Sequence, residues 1–228
     1  MSKLPEKHQY LDLSDYGRSL GHFIAIKLKD TSLTPIHVTT MFLITGFIAI
    51  GLLLKGYFIS SAFLLLLKSI LDAADGELAR LKKKPSYVGR YYDSISDLIL
   101  NFCFLLSLWY ITDVPIIYMI ISFLAIQLQG TLYNYYYVIL RNSVKGDSTS
   151  RIFENTTPKA LNGESQLAVN IFYNIYCLLY IPFDKTIYYM DQNAVKSKPF
   201  PKWSMTLVST YGLGFQLFIM GLMLVLKL

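Results

Sequence analysis

Long apolar runs alternate with short polar segments along nearly the whole chain, and their lengths predict helices that cross a membrane, which takes about 20 residues each. The first crossing is expected from about Val38 to Leu54, capped at Thr34 with Pro35 in its first turn and ended by Lys55 and Gly56. The second runs from about Tyr57 to Leu81, apolar in its first half and aspartate-bearing in its second. A third, from near Tyr87 to about Tyr110, is broken by Thr112, Asp113 and Pro115. A fourth, from about Ile116 to Leu140, ends in Tyr133, Tyr135, Tyr136 and Tyr137, which read as an interfacial aromatic belt. A fifth runs from about Gln166 to Ile181 and stops at Pro182, and a last from about Trp203 to Leu226. Ahead of these, residues 1–34 are polar and mixed in charge. His22, Phe23, Ile24, Ile26 and Leu28, with Lys27 and Lys29, predict a short amphipathic helix lying on the membrane. The expected architecture is an all-α integral membrane protein: an N-terminal cytosolic and interfacial segment, 1–34, then a domain of six transmembrane helices, 35–228.

Composition agrees with this solvent. Of 228 residues, 54% are hydrophobic and 16% charged, and the mean hydropathy is +0.41, values rare in a soluble domain. Cys103 and Cys177 lie inside apolar runs, so neither a disulfide nor a zinc site is predicted. No cleavable signal peptide is visible. The formal charge of +6 does not point to nucleic acid, because the basic residues cluster beside membrane segments. With six crossings both termini share a side. Arg80, Lys82, Lys83, Lys84, Arg90, Arg141, Lys145, Arg151 and Lys159 join them there, while Lys55, Lys185, Lys196, Lys198 and Lys202 fall opposite. The bias makes the aspartate-bearing end cytosolic.

That end carries the chemistry. Asp72 with Asp75, and Asp93 with Asp97, have spacings that put both carboxylates of a pair on one helix face. The two helices are joined by a short basic turn, Lys82 to Ser86, with Pro85 as breaker, and are expected to be antiparallel neighbours whose acidic faces meet. Ionisable groups in membrane helices are costly and by default functional. Oxygen ligands suit Mg²⁺ or Mn²⁺, and four carboxylates suit a pair of such ions clamping a diphosphate. Gly76 and Ala79 share the face of Asp72 and Asp75, and Gly89 lies one turn before Asp93; small side chains there either leave a ligand room or let helices pack. Lys68, one turn before Asp72, either pairs with a motif aspartate or snorkels. The loop with Arg141, Lys145, Arg151 and Lys159 receives an anionic acceptor or headgroup, or only sets topology. Gln127, Gln129, Asn134, Asn170 and Asn174 line an acceptor cavity or bond between helices, and His8, His22 and His37 have no partner at ligand spacing.

The pattern DxxDGxxARx8Gx3Dx3D is present without departure as Asp72, Asp75, Gly76, Ala79, Arg80, Gly89, Asp93 and Asp97. It resembles that of the CDP-alcohol phosphotransferase family, integral membrane enzymes of phospholipid synthesis. One departure lies outside it: where the family commonly has Thr-Pro-Asn, Thr34 and Pro35 are followed by Ile36. The resemblance implies metal-dependent transfer of a phospho-alcohol group from a CDP-linked donor to an acceptor hydroxyl, with release of CMP. It implies Asp72, Asp75 and Asp93 as metal ligands, and Asp97 as general base that also touches a metal. Asp72, Gly76, Ala79, Arg80 and Gly89 would then line the nucleotide site, with Arg141, Lys145 and Arg151 on the acceptor or lipid side. CDP-diacylglycerol is the commoner donor in short members, and CDP-choline or CDP-ethanolamine with a lipid acceptor is the alternative; a homodimer is the implied assembly. An intramembrane aromatic prenyltransferase would have its two aspartate motifs far apart, whereas here both fall within 26 residues. A non-enzymatic carrier is disfavoured by retention of all four aspartates and by the lack of a visible broken helix or repeat.

Overall fold

The computed structural model describes residues 4–144, 154–197 and 199–227, and among them every regular element is a helix. The main helices are α1 (Arg18–Leu28), α2 (Pro35–Leu54), α3 (Phe58–Leu81), α4 (Tyr87–Thr112), α5 (Ile116–Ser143), α6 (Gln166–Met190), α7 (Lys202–Val208) and α8 (Leu213–Leu226). Their starts have local causes. Thr34 Oγ1 accepts from the His37 amide while His37 Nδ1 accepts from the Thr34 amide, a reciprocal cap with Pro35 in the first turn. Ser86 Oγ accepts from the Gly89 amide and opens α4. Between α3 and α4, Lys83 takes a left-handed backbone at φ 52°, and Lys82 Nζ donates to the carbonyls of Thr31 and Leu33, tying the turn to the segment before α2.

α2 is the spine. Val38, Phe42, Ala49 and Leu53 recur along one buried stripe and pack with Leu65, Leu71 and Leu78 of α3 and with Leu100 and Phe104 of α4. α3 and α4 each pack closely on α2 but not on one another, so the expected pair of neighbouring helices is a splayed pair with a gap between. α1 docks on the far flank of α3: Ala25 is wholly buried, and a Cβ at Gly21 would stand 2.9 Å from the Ala74 nitrogen and 3.0 Å from the Ala73 carbonyl carbon. Phe23 and Ile26 remain exposed on its other face.

Two expectations about the last helices are corrected. α6 does not stop at Pro182 but continues to Met190. Proline removes one backbone donor, here on a turn where Leu178 is 78% exposed, and the rest of the ladder carries on. The final segment is not one straight helix: the piece from Lys202 to Tyr211 and α8 are bent by 52° at Gly212. By length and composition α2, α4, α5 and α6 can each cross a membrane, and the bent pair is a fifth if it forms one span. α3 does not qualify by that measure, because Lys68, Asp72, Asp75, Glu77 and Arg80 fill its second half, so length and composition identify four or five of the six expected crossings among the described residues.

The contacts also redistribute the ends. Glu164, just before α6, accepts from Ser86 Oγ and the Val88 amide; Asp191, just after it, accepts from the hydroxyls of Tyr135 and Tyr136. Both ends of α6 are thus held in the motif half of the bundle. α8 runs antiparallel to α3, with Gly214 bonded to Ser14 and Gly221 against Ala62, and ends beside the turn at Lys55 and Gly56. Residues 191–209, expected on the far side, pack on the C-terminal half of α5 and on the N-terminal segment. Tyr133, Tyr135, Tyr136 and Tyr137, expected as an interfacial belt, turn their hydroxyls or rings into this packing.

Because the α1 contact on α3 is backbone to backbone, Gly21→Ala is expected to lower stability by about 1–3 kcal/mol. Gly51→Ala, where a Cβ meets nothing within 4 Å, is expected to change it by under about 1 kcal/mol. Thermal unfolding in detergent checks the pair.

Candidate functional site

The gap between α3 and α4 is where the aspartates meet. One carboxylate oxygen each of Asp72, Asp75 and Asp93 lies within 4.8 Å of the others. α2 holds the group in place: Thr39 Oγ1 donates to Asp75 Oδ2 at 2.6 Å. Asp93 Oδ1 is buried and has no hydrogen-bond partner among the described residues. A buried carboxylate oxygen left without a partner among like charges is unfavourable by several kcal/mol. A hard divalent cation takes oxygen ligands of this kind, so the residues present fit such an ion.

Asp97 stands apart from the trio. Its Oδ1 is ion-paired with Lys68 Nζ, which also lies 3.8 Å from Asp72 Oδ2 and 4.6 Å from the centre of the Phe42 ring. Of the two readings of Lys68, the structure selects the inward one; the side chain is 3% exposed and does not snorkel.

These groups open onto a cavity of about 380 Å³. Asp72, Asp75, Gly76, Arg80, Asp93 and Asp97 all line it, and Ala79 and Gly89 stand outside its wall. The two motif glycines therefore differ: a Cβ at Gly76 would meet only the Arg80 guanidinium nitrogens, at 3.5 and 3.8 Å, whereas one at Gly89 would press on Ser86 Oγ at 3.1 Å. Arg80 reaches the cavity with one nitrogen 3.0 Å from Glu77 Oε1, and His22 Nδ1 stands 3.3 Å from Glu77 Oε2. On the acceptor side, Arg141 lines the cavity over the Tyr137 ring, and Lys145 and Arg151 lie outside the described residues. Gln127 and Asn134 line it too. Gln129 bonds Gln216 across helices, and Asn170 and Asn174 are exposed on α6.

Sequence reasoning missed four contributors to the site. Thr39 sits on the buried stripe of α2, and that register was the available signal. Arg90 ion-pairs with Glu154, which also accepts from the Tyr91 hydroxyl, and Asp184 of α6 lines the same side. The fourth is a strap from Asp12 to Arg18. Tyr133 donates to Asp12 Oδ2 at 2.6 Å, the Leu13 amide to Ser209 Oγ, and the Gly214 amide to Ser14 Oγ. Burial, with the Asp12 charge beside it, pushes the phenol of Tyr10, just ahead of the strap, well above its usual range, so it stays a neutral hydroxyl.

No curated protein sequence matches this chain closely enough to count as a relative. The family model for CDP-alcohol phosphatidyltransferase matches residues 33–183, a span that takes in α2 to α5, most of α6 and every motif residue. The match covers well over half of the chain, and the chain belongs to the CDP-alcohol phosphatidyltransferase family.

Proposed function

We propose that this cavity moves a phosphatidyl group from CDP-diacylglycerol to the hydroxyl of an acceptor alcohol and releases CMP. The family performs the general reaction, transfer of a phospho-alcohol group from a CDP-alcohol, and uses a divalent metal. The observation that carries the reading is the convergence of Asp72, Asp75 and Asp93 around the unpartnered Asp93 oxygen, on the wall of a cavity that Arg80 also lines.

Asp72, Asp75 and Asp93 would hold Mg²⁺ or Mn²⁺, which supplies charge neutralisation on the diphosphate when bound. Arg80 faces the phosphates, and Gly76 leaves the backbone of α3 open to the nucleotide. The acceptor oxygen bonds to the phosphorus that carries the lipid alcohol, and the bridging P–O bond breaks towards CMP. Asp97 takes the acceptor proton. Its Oδ1 is engaged by Lys68, and its Oδ2 has no hydrogen-bond partner among the described residues. Arg141 supports the acceptor side. The motif end faces the cytosol. Lys82, Lys83, Lys84, Arg90 and Arg141 lie there, and the packing of residues 191–209 brings Lys196 and Lys202 to the same end, with Lys55 and Lys227 at the other.

The test is release of CMP by purified protein from labelled CDP donors across a panel of alcohols, with and without Mg²⁺ or Mn²⁺. The expected result is metal-dependent release with CDP-diacylglycerol. Asp97→Asn is expected to abolish transfer with donor binding largely kept, and equal loss of both counts against the base role. Asp75→Asn is expected to weaken metal-dependent nucleotide binding, read by titration with and without Mg²⁺. Thr39→Val, which removes the donor to Asp75, is expected to weaken Mn²⁺ binding about tenfold, while Thr39→Ser keeps it; equal affinity in both variants would remove Thr39 from the site.

A further inference from the structure

Outside the motif, the charged side chains on the cavity wall arrive matched, with one exception. Arg18 is ion-paired with Asp15, Arg80 with Glu77 and Arg90 with Glu154, Asp12 accepts from Tyr133, and Arg141 stands over the Tyr137 ring. Asp184 of α6 lines the same cavity, and its carboxylate has no hydrogen-bond or ion-pair partner among the described residues. The charges that bear on it are Glu154, of its own sign, and Arg90, which Glu154 already engages. One guanidinium thus serves two carboxylates, and a partly buried carboxylate left over in this way is costly. Its surroundings are aromatic. Tyr180 and Tyr176, one and two turns before it on α6, also line the cavity and stack with ring centres 4.7 Å apart. The Tyr180 hydroxyl donates to the Ser94 carbonyl, one turn before Asp97 on α4, and lies within electrostatic reach of both Asp97 and Asp184. A carboxylate beside stacked rings suits an ammonium, which donates a charge-assisted bond to the one and makes a cation–π contact with the other.

α3 supplies the nucleotide side through Gly76 and Arg80, while α6 packs on α4 and α5, so the α6 wall is left to the acceptor. The basic loop after α5 suits an anionic acceptor or headgroup; Asp184 suits the opposite charge. Resting on the transfer reading above, we infer that the acceptor is an amino alcohol: Asp184 binds its ammonium beside Tyr176 and Tyr180, and Asp97 takes the proton of its hydroxyl. The acceptor oxygen bonds to the phosphorus, the diphosphate bridge breaks, and CMP leaves with the bridging oxygen. The ammonium keeps its protons and its charge throughout. Asp184 is thus a specificity-determining residue that lies outside the motif.

The test is an acceptor panel for the full-length protein in detergent micelles, with CDP-diacylglycerol and Mg²⁺ or Mn²⁺, read as CMP release. Ethanolamine and serine carry the ammonium, ethylene glycol and inositol are neutral, and glycerol phosphate is anionic. An amino alcohol is expected to exceed the neutral and anionic acceptors by at least about tenfold in kcat/KM, the size of one hydrogen bond to a charged group. Asp184→Asn, which keeps the shape and removes the charge, is expected to raise the KM for that amino alcohol about tenfold while the KM for CDP-diacylglycerol stays within about twofold. Asp184→Glu, which keeps the charge, is expected to recover part of the loss. Release driven best by a neutral or anionic alcohol overturns the inference and leaves the transfer reading standing. An unchanged acceptor KM in Asp184→Asn does the same, as does an equal loss with every acceptor in the folded variant. If Asp184→Asn fails to fold, the wild-type panel decides alone. No metal-dependent CMP release with any acceptor would instead overturn the transfer reading from which the inference starts, and the inference with it.

Discussion

Four carboxylates crowded at the head of one cavity in a helical bundle repel one another, and the rest of this structure is arranged around that constraint. A lone buried charge is costly, and a cluster of like charges more so, unless each oxygen finds a cation or a donor. The chain meets the demand from three directions. Thr39 of α2 donates to Asp75, Lys68 engages Asp97 and approaches Asp72, and the remaining oxygens of the trio face one another at a spacing a divalent ion can bridge. None of these groups can be moved independently. Thr39 depends on the buried stripe of α2, Lys68 on the Phe42 ring of that same stripe, and the turn between α3 and α4 on the grip of Lys82 on residues 31 and 33.

The same constraint explains why α3 and α4 do not pack on one another. Close packing would press the two acidic faces together and leave no room for a ligand. Instead both helices lean on α2, and the space between them becomes the head of the cavity. Its other walls come from parts of the chain far away in sequence: the strap at Asp12 to Arg18, the second half of α5, the Arg90 and Glu154 pair, and Asp184 of α6. The strap is held by donors from α5 and from the start of α8, so the polar leader is part of the site's enclosure.

The parts legible in the sequence were those whose cause is local. Helix ends at Thr34, Ser86 and Gly56 follow from caps and a left-handed glycine, and the aspartate faces follow from spacing along one helix. The departures have non-local causes. Pro182 reads as a stop, but a proline on an exposed turn forfeits a single bond and α6 continues. Gly212 follows only the short polar step Ser209-Thr210 inside an apolar run, and the contacts of Ser14 and Ser209 that hold the bend reach across the chain. The direction of Lys68 was undecidable from α3 alone, because the groups that draw it inward, Asp97 and Phe42, belong to α4 and α2. Glu154 carries no local signal, since its partners Arg90 and Tyr91 lie more than 60 residues earlier.

The bend between α7 and α8 has a consequence for what surrounds the cavity. If the last segment crossed as a single rod, the chain after α6 would lie at the end opposite the motif, and the polar strap would have no partner there. With the bend, residues 191–209 stay beside the strap and α5, and the lysines they carry add to the basic end of the bundle. A positive end of this kind attracts anions from water. α6, held at both ends in the motif half, presents Leu167, Ile171 and Leu178 outward, an apolar flank suited to lipid, and contributes Asp184 to the cavity within. The tilt of one helix and the break of another thus put a basic end and an apolar flank on the same half of the protein as the aspartates.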